Sequence, residues 1–121
     1  MAIMTDAFVE AVTCATAARV ADRCSNPNCR ALTSGPHNDR RRSLTLGLAV
    51  HIAAASPSGR RYDPLLPDHE HGAYGNAIWL CRNCANLIDN DVVLYPASLL
   101  RSWKGAAEEK VGESTDATKI Q

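Results

Sequence analysis

The sequence predicts an α+β domain with a helix near each end. The chain has 121 residues, which is about the length of one domain. Apolar residues recur at helical spacing near both ends, and two short apolar runs between them have the length of strands. Hydrophobic residues make up 45% of the chain and charged residues 21%. This composition is that of an ordinary globular protein.

The elements of the first half follow from local patterns. Residues 5–22 are predicted to form an amphipathic helix, because apolar side chains recur every three or four positions and Thr5 is a suitable N-cap. Residues 24–43 are rich in turn formers and are predicted to be a loop. Residues 44–52 are apolar enough for a buried strand, which would end at His51.

The second half starts with a long polar segment. Residues 53–75 are rich in Ser, Pro, Gly and charge, and we expect them to be irregular. A strand at 76–80 and a short helix at 82–89 follow. A second amphipathic helix is predicted over 95–109, with a proline in its first turn. From residue 112 onwards the sequence is polar, and we expect it to be frayed.

These elements divide the chain into an N-terminal helix (1–22), a central domain (23–110) and a polar tail or linker (111–121). The net charge is zero, but residues 19–104 hold eleven Arg or Lys against seven acids. Ten of those eleven cations are Arg, whose planar guanidinium suits phosphate. The central domain is therefore compatible with a nucleic-acid partner.

Neither a signal peptide nor a membrane segment is expected. Asp6 and Glu10 lie where a signal peptide carries positive charge. The longest mostly apolar run, 46–55, is far shorter than the ~20 residues that span a bilayer. We expect a cytoplasmic protein, and in a reducing compartment cysteines are more often metal ligands than disulfides.

Four of the five cysteines form two closely spaced pairs. Cys24 and Cys29 flank SNPN, and Cys81 and Cys84 flank RN. Two such pairs provide the four thiolates of a tetrahedral structural zinc site, which would join segments far apart in the chain. The alternatives are a redox pair or ordinary buried cysteines. Cys14 lies among alanines and is predicted to fill the core.

The runs AVHIAAASPSGRRYDP and NAIWLCRNCANLIDND resemble the HNH nuclease motif framed by a zinc clasp. The closest form is the nuclease module of bacterial anti-phage defence effector proteins, and the resemblance covers residues 22–104. It implies a ββα-metal (His-Me finger) fold and a metal-dependent endonuclease that hydrolyses DNA phosphodiester bonds.

The resemblance also implies roles for single residues. His51 corresponds to the general base, and Asn76 to the residue that fixes the loop carrying that base. Asp89 lies at a ligand position for a catalytic Mg²⁺ or Mn²⁺, and an oxygen donor suits either ion. Arg60 and Arg61 lie where the family places an arginine near the scissile phosphate.

The sequence departs from the family at Val50 and Ala85, where many members carry a metal ligand or motif residue. These departures leave open an alternative, a non-catalytic zinc-stabilised module that binds nucleic acid. The basic run 40–42 also has two interpretations, a grip on DNA phosphates or a solvated loop. His51 by itself is compatible with a hydrogen-bonded core histidine.

The expected partner is DNA, bound with little sequence preference because no helix carries base-reading side chains at a suitable spacing. RNA is not excluded by any residue. A sensor domain or regulatory partner outside these residues is expected from the resemblance. A homodimer is the simplest arrangement for cutting both strands.

Overall fold

The structure is a computed structural model that describes residues 7–54 and 56–119. Within these residues the chain forms a small α+β fold with four helices, a short 3₁₀ turn and two antiparallel two-stranded sheets. In chain order the elements are α1 (Glu10–Ala18), β1 (Ser34–Pro36), β2 (Ser43–Thr45), β3 (Gly47–His51), α2 (Asp68–His71), the 3₁₀ turn (Tyr74–Asn76), β4 (Ala77–Cys81), α3 (Arg82–Asn90) and α4 (Ala97–Lys119).

The centre of the fold is the pair of strands β3 and β4, followed directly by α3. Gly47 lies opposite Cys81 and His51 opposite Ala77 in an antiparallel register. The chain passes from β4 into α3 without a loop, and Cys81 caps α3 by accepting a hydrogen bond from the Cys84 amide on its sulfur. His51 therefore lies at the end of the strand pair away from the cysteines of β4 and α3.

Strand β4 is buried on both faces, because its side chains alternate between two apolar clusters. Ile78 and Leu80 pack in the main core with Ile88 of α3 and Leu100 of α4. Trp79 points to the other face, where a second cluster contains Ala17 of α1, Val20, and Ala107 of α4. Both terminal helices therefore bury apolar side chains against the same strand pair.

The first half departs from its prediction in three places. Helix α1 spans Glu10–Ala18, so its predicted end at residue 22 is wrong, and the predicted cap Thr5 lies outside the described residues. The predicted loop 24–43 contains β1, which pairs with β2. The predicted strand 44–52 is split at Leu46, whose amide donates to the carbonyl of Thr33 and whose carbonyl accepts from the Arg82 amide. The chain leaves one sheet and enters the other at this residue.

In the second half the predicted strand and short helix are each within one residue of β4 and α3. The segment predicted to be irregular contains α2 and the start of the 3₁₀ turn. Helix α4 continues to Lys119, so the prediction of a frayed tail from residue 112 is wrong. Exposed helical positions need no apolar residue, and a glycine such as Gly112 costs only about 1 kcal/mol relative to alanine. Across the described part of the chain, no helix has the length and apolar character needed to cross a membrane.

We expect Gly47→Ala to destabilise the fold by about 1–3 kcal/mol through overpacking. A Cβ at this position would lie 2.5 Å from the ring of Trp79, which is itself packed in the core. Gly35→Ala is the matched control, since a Cβ there meets nothing within 4 Å. Urea unfolding of both variants measures the difference, and equal midpoints would contradict this account of the contact.

Candidate metal centre and candidate active-site cleft

Four cysteines converge at one end of the strand pair. The sulfur atoms of Cys24, Cys29, Cys81 and Cys84 all lie within 4.8 Å of one another. In the part of the chain that the structure describes, this is the only group of three or more His, Cys, Asp or Glu side chains that could hold a metal ion. The group predicted from the two spacings is therefore assembled in the fold.

Local hydrogen bonds explain how residues 24–29 reach β4 and α3. Asn26 folds this segment into a turn, because its carbonyl accepts from the amides of Cys29 and Arg30 at 2.9 and 3.0 Å. The Ser25 amide donates to the carbonyl of Trp79 at 2.9 Å, which joins the turn to β4. The side-chain amide of Asn26 also donates to the sulfur of Cys84 at 3.4 Å.

The chemistry of the four thiols fits a soft divalent cation. Burial raises the pKa of Cys24 and of Cys84. At Cys81 burial acts in the same direction, but hydrogen bonds from the Cys84 amide and from neighbouring thiols outweigh it and lower the pKa. A bound zinc ion would stabilise all four thiolates and leave no coordination position open, which is the arrangement of a structural site.

Cys14 takes no part in this group. It is exposed on α1, so its prediction as a core residue is wrong. The buried side of α1 is formed by Thr16 and Ala17.

We expect one zinc ion per intact chain, and its loss on Cys84→Ser. Removing the metal should lower the melting temperature by at least about 10 °C, because metal-binding energy is folding energy in such sites. Cys14→Ser is the control and should keep both the zinc content and the melting temperature. Elemental analysis with thermal unfolding checks this, and a metal-free wild type of unchanged stability would contradict it.

A cleft of about 250 Å³ lies at the other end of the strand pair. Four residues that the sequence singled out line it together, and His71 joins them. The four come from three parts of the chain: His51 ends β3, Asp89 lies in α3, and Arg60 and Arg61 lie in the connection between β3 and α2.

The ring of His51 is held between two other rings. Phe8 stacks on it at 3.9 Å between centroids and His71 at 4.4 Å, with interplanar angles of 19° and 15°. Sequence reasoning assigned no role to His71. No motif spacing marked it, and it reaches the cleft only because the unpredicted helix α2 carries it there.

Asn76 ties the segment after His51 to the turn before β4. Its side-chain oxygen accepts from the Ala53 amide, and its nitrogen donates to the Ala53 carbonyl, both at 3.0 Å. The same nitrogen donates to the carbonyl of His71 at 2.9 Å. One buried amide thus fixes the backbone beside both histidines.

All three nitrogen atoms of the Arg61 guanidinium contact other groups of the protein. The Arg61 side chain is 4% exposed, and its Nε donates to the Ile52 carbonyl at 2.7 Å while a terminal nitrogen donates to the Ile88 carbonyl at 3.3 Å. Another terminal nitrogen lies 3.4 Å from a carboxylate oxygen of Asp89. Burial lowers the pKa of Arg61, and Asp89 acts against this effect. Arg61 therefore joins the end of β3 to α3.

Arg60 and Asp89 form the open rim of the cleft. The Arg60 side chain is 60% exposed and lies 3.7 Å from the Asp89 carboxylate. Asp89 thus contacts two guanidinium groups and, within the described residues, belongs to no cluster of three metal ligands. The protein groups at this cleft do not by themselves form a complete divalent-cation site.

A polar cluster connects α4 to the turn that carries Asn76. Lys104 donates to the carbonyl of Ala77 at 2.7 Å and lies 3.6 Å from the centre of the Tyr74 ring. The Tyr74 hydroxyl donates to Glu108, one helical turn after Lys104. Burial, assisted by the charge of Arg19, lowers the pKa of Lys104 to about 8. Helix α4 thereby contributes to the position of Asn76.

No protein-family model matches the chain, and no curated protein matches it significantly. The resemblance to HNH nucleases therefore rests on the sequence motifs of the chain.

Arg61→Ala should lower the free energy of unfolding by about 3 kcal/mol, because it leaves the carbonyls of Ile52 and Ile88 without their donor. Arg60→Ala, at the neighbouring exposed position, should change it by less than about 1 kcal/mol. Denaturant unfolding of both variants provides the comparison. A small effect of Arg61→Ala on the free energy of unfolding would show that other donors reach these carbonyls.

Proposed function

We propose that this chain is an HNH-type endonuclease domain that hydrolyses DNA phosphodiester bonds. In this proposal β3, β4 and α3 form the ββα-metal unit, and the four cysteines hold a structural zinc ion. The observation that carries it is the cleft, in which His51 at a strand end lies beside Arg60, Arg61 and Asp89. Histidine can act as a general base, and arginine can stabilise the charge that grows on a phosphate, so these side chains suit phosphodiester hydrolysis.

His51 is the proposed general base. Imidazole accepts a proton effectively near neutral pH, which activates a water molecule for attack on phosphorus. The stacked rings of Phe8 and His71 restrict the orientation of the His51 ring. Asn76 restricts the backbone that follows it. Both restraints keep the base in one position, so less ordering is needed in the transition state.

The two arginines are assigned different tasks. The Nε of Arg60 donates to the Asp89 carbonyl at 3.2 Å, but the side chain is exposed at the rim, so its guanidinium can also contact a phosphate, whose charge grows in the transition state. Arg61 donates to backbone carbonyls on both sides of the cleft, so it holds His51 and Asp89 at a fixed separation. Arg60 is thus the proposed substrate contact and Arg61 a positioning residue.

We expect cleavage to depend on Mg²⁺ or Mn²⁺. Asp89 offers an oxygen ligand, but it is shared with two arginines. Mg²⁺ keeps several waters and takes phosphate oxygens from its substrate, so few protein ligands suffice.

A second candidate function is a non-catalytic, zinc-stabilised module that binds nucleic acid. The absence of a three-ligand cluster at the cleft, among the residues described, favours it. So do Val50 and Ala85, since Ala85 is packed in the core and neither side chain can bind a cation.

We propose that the chain acts in the cell as the nuclease module of a bacterial defence effector and that it cuts DNA largely independently of sequence. A sensor domain or regulatory partner would restrain it, and a homodimer would supply a second cleft for the second strand.

Zinc-loaded protein should nick supercoiled plasmid in the presence of Mg²⁺ or Mn²⁺. His51→Ala should slow this at least about 100-fold, because a general base contributes at least that factor. Its zinc content should stay unchanged and it should remain folded, with only the stability lost that the two stacked rings provide. Asp89→Asn tests the cation ligand in the same assay.

His69→Ala is the matched control, since His69 is 80% exposed in α2 and does not line the cleft. Its nicking rate should equal that of the wild type. Cleavage by His51→Ala at the wild-type rate would contradict the catalytic assignment. A folded, zinc-loaded wild type that binds DNA and never cuts it would support the second candidate.

A further inference from the structure

Residues 34–45 form a β-hairpin, here called the arm, that carries three consecutive arginines at its tip. Strands β1 and β2 pair from Ser34 opposite Thr45 to Pro36 opposite Ser43. The connecting residues include the basic run 40–42, and all three arginines are exposed. The run predicted to lie in a loop is therefore presented at the end of a paired element.

The base of the arm is fixed to the core. Thr33, directly before β1, is fully buried, and its amide donates to the Asp22 carbonyl at 2.8 Å. The indole nitrogen of Trp79 donates to the Thr33 hydroxyl at 2.9 Å. Leu46, directly after β2, donates to the Thr33 carbonyl at 2.6 Å. Both strands are thus tied together at the base, beside β4.

The tip is a closed turn with an internal counter-ion for one arginine. Asp39 accepts from the Arg41 amide at 3.0 Å, and its carboxylate pairs with the Arg41 guanidinium at 3.3 Å. That guanidinium lowers the pKa of Asp39. Of the carboxylates that the structure describes, none lies within 4.0 Å of the guanidinium nitrogens of Arg40 or Arg42. Two positive charges at the tip are therefore uncompensated.

Two adjacent depressions lie between the arm and His51. The first, about 640 Å³, lies between the arm and α1, and the second, about 500 Å³, is lined by Phe8 and His51. Both are lined by Thr13, Thr45 and Trp79. The arm and the proposed base thus border adjacent depressions.

The distance between them is bounded by the chain. Nine residues lead from Arg42 to His51, so their Cα atoms lie at most about 32 Å apart. Successive phosphates of one DNA strand advance about 3.4 Å along the helix axis. The tip of the arm therefore lies within about nine base pairs of His51.

We propose that the arm binds the sugar–phosphate backbone of the nucleic acid within one helical turn of the bond at His51. Arg40 and Arg42 contact the phosphates, whereas the Arg41 guanidinium is paired with Asp39 and does not. The identity of the ligand rests on the proposed function, whereas the charge and geometry of the arm do not depend on cleavage. A basic tip without base-reading side chains at suitable spacing gives affinity without sequence specificity.

The test is the salt dependence of binding to a labelled DNA duplex of about 30 base pairs, measured on a His51→Ala background without divalent cations. The logarithm of the binding constant falls with log salt by about 0.9 per phosphate contact. Arg40→Gln with Arg42→Gln should flatten this slope by about 1.8. Asp39→Asn keeps an acceptor for the Arg41 amide but releases its guanidinium, so it should steepen the slope by up to about 0.9.

Arg101→Gln with Lys110→Gln is the charge-matched control, because both side chains are exposed on α4. It should leave the slope unchanged. Equal slopes for the wild type and the arm variant would overturn the proposal, as would equal flattening by the control. Because binding is read in a cleavage-deficient background, a failure of the arm is distinguishable from a failure of the nuclease assignment.

Discussion

The convergence of four cysteines is the constraint on which the rest of the structure depends. It joins the turn at residues 24–29 to the end of β4 and the start of α3, segments more than fifty residues apart in the chain. With one end of the strand pair held there, β3 and β4 keep their register to His51 at the opposite end. A chain of this size buries only about two-thirds of its unfolded surface, so a metal ion bound by the four thiols would add stability that a small core does not provide.

The opposite end of the strand pair is held by polar side chains. Asn76 fixes the segment after His51 through paired hydrogen bonds to Ala53. Arg61 extends this restraint to α3. A buried amide and a buried guanidinium are stable here because nearly all of their polar atoms have partners. The cleft is therefore bordered by backbone that Asn76 and Arg61 hold in position, as the proposed role of His51 requires.

Much of the fold follows from local sequence. The strand and helix around NAIWLCRNC are within one residue of their predicted bounds. The apolar run marks the strand, and the closely spaced cysteine pair marks the point where the strand ends and the helix begins. The hairpin was missed, since two strands of three residues carry too little pattern to distinguish from a loop. Helix α4 was predicted too short because its last part is exposed and has no apolar stripe to mark it.

The sequence by itself determined the four-cysteine group and the candidate site residues, since both depend on residue type and spacing along the chain. Tertiary structure alone decided what those residues touch. Arg60 and Arg61 are neighbours of identical charge, yet one is exposed and the other buried against the carbonyls of Ile52 and Ile88. His71 lines the cleft because α2 places it there, and no motif spacing in the sequence predicts that position. Spacing along the chain fixes which groups are available, whereas packing between distant segments fixes which of them face one another.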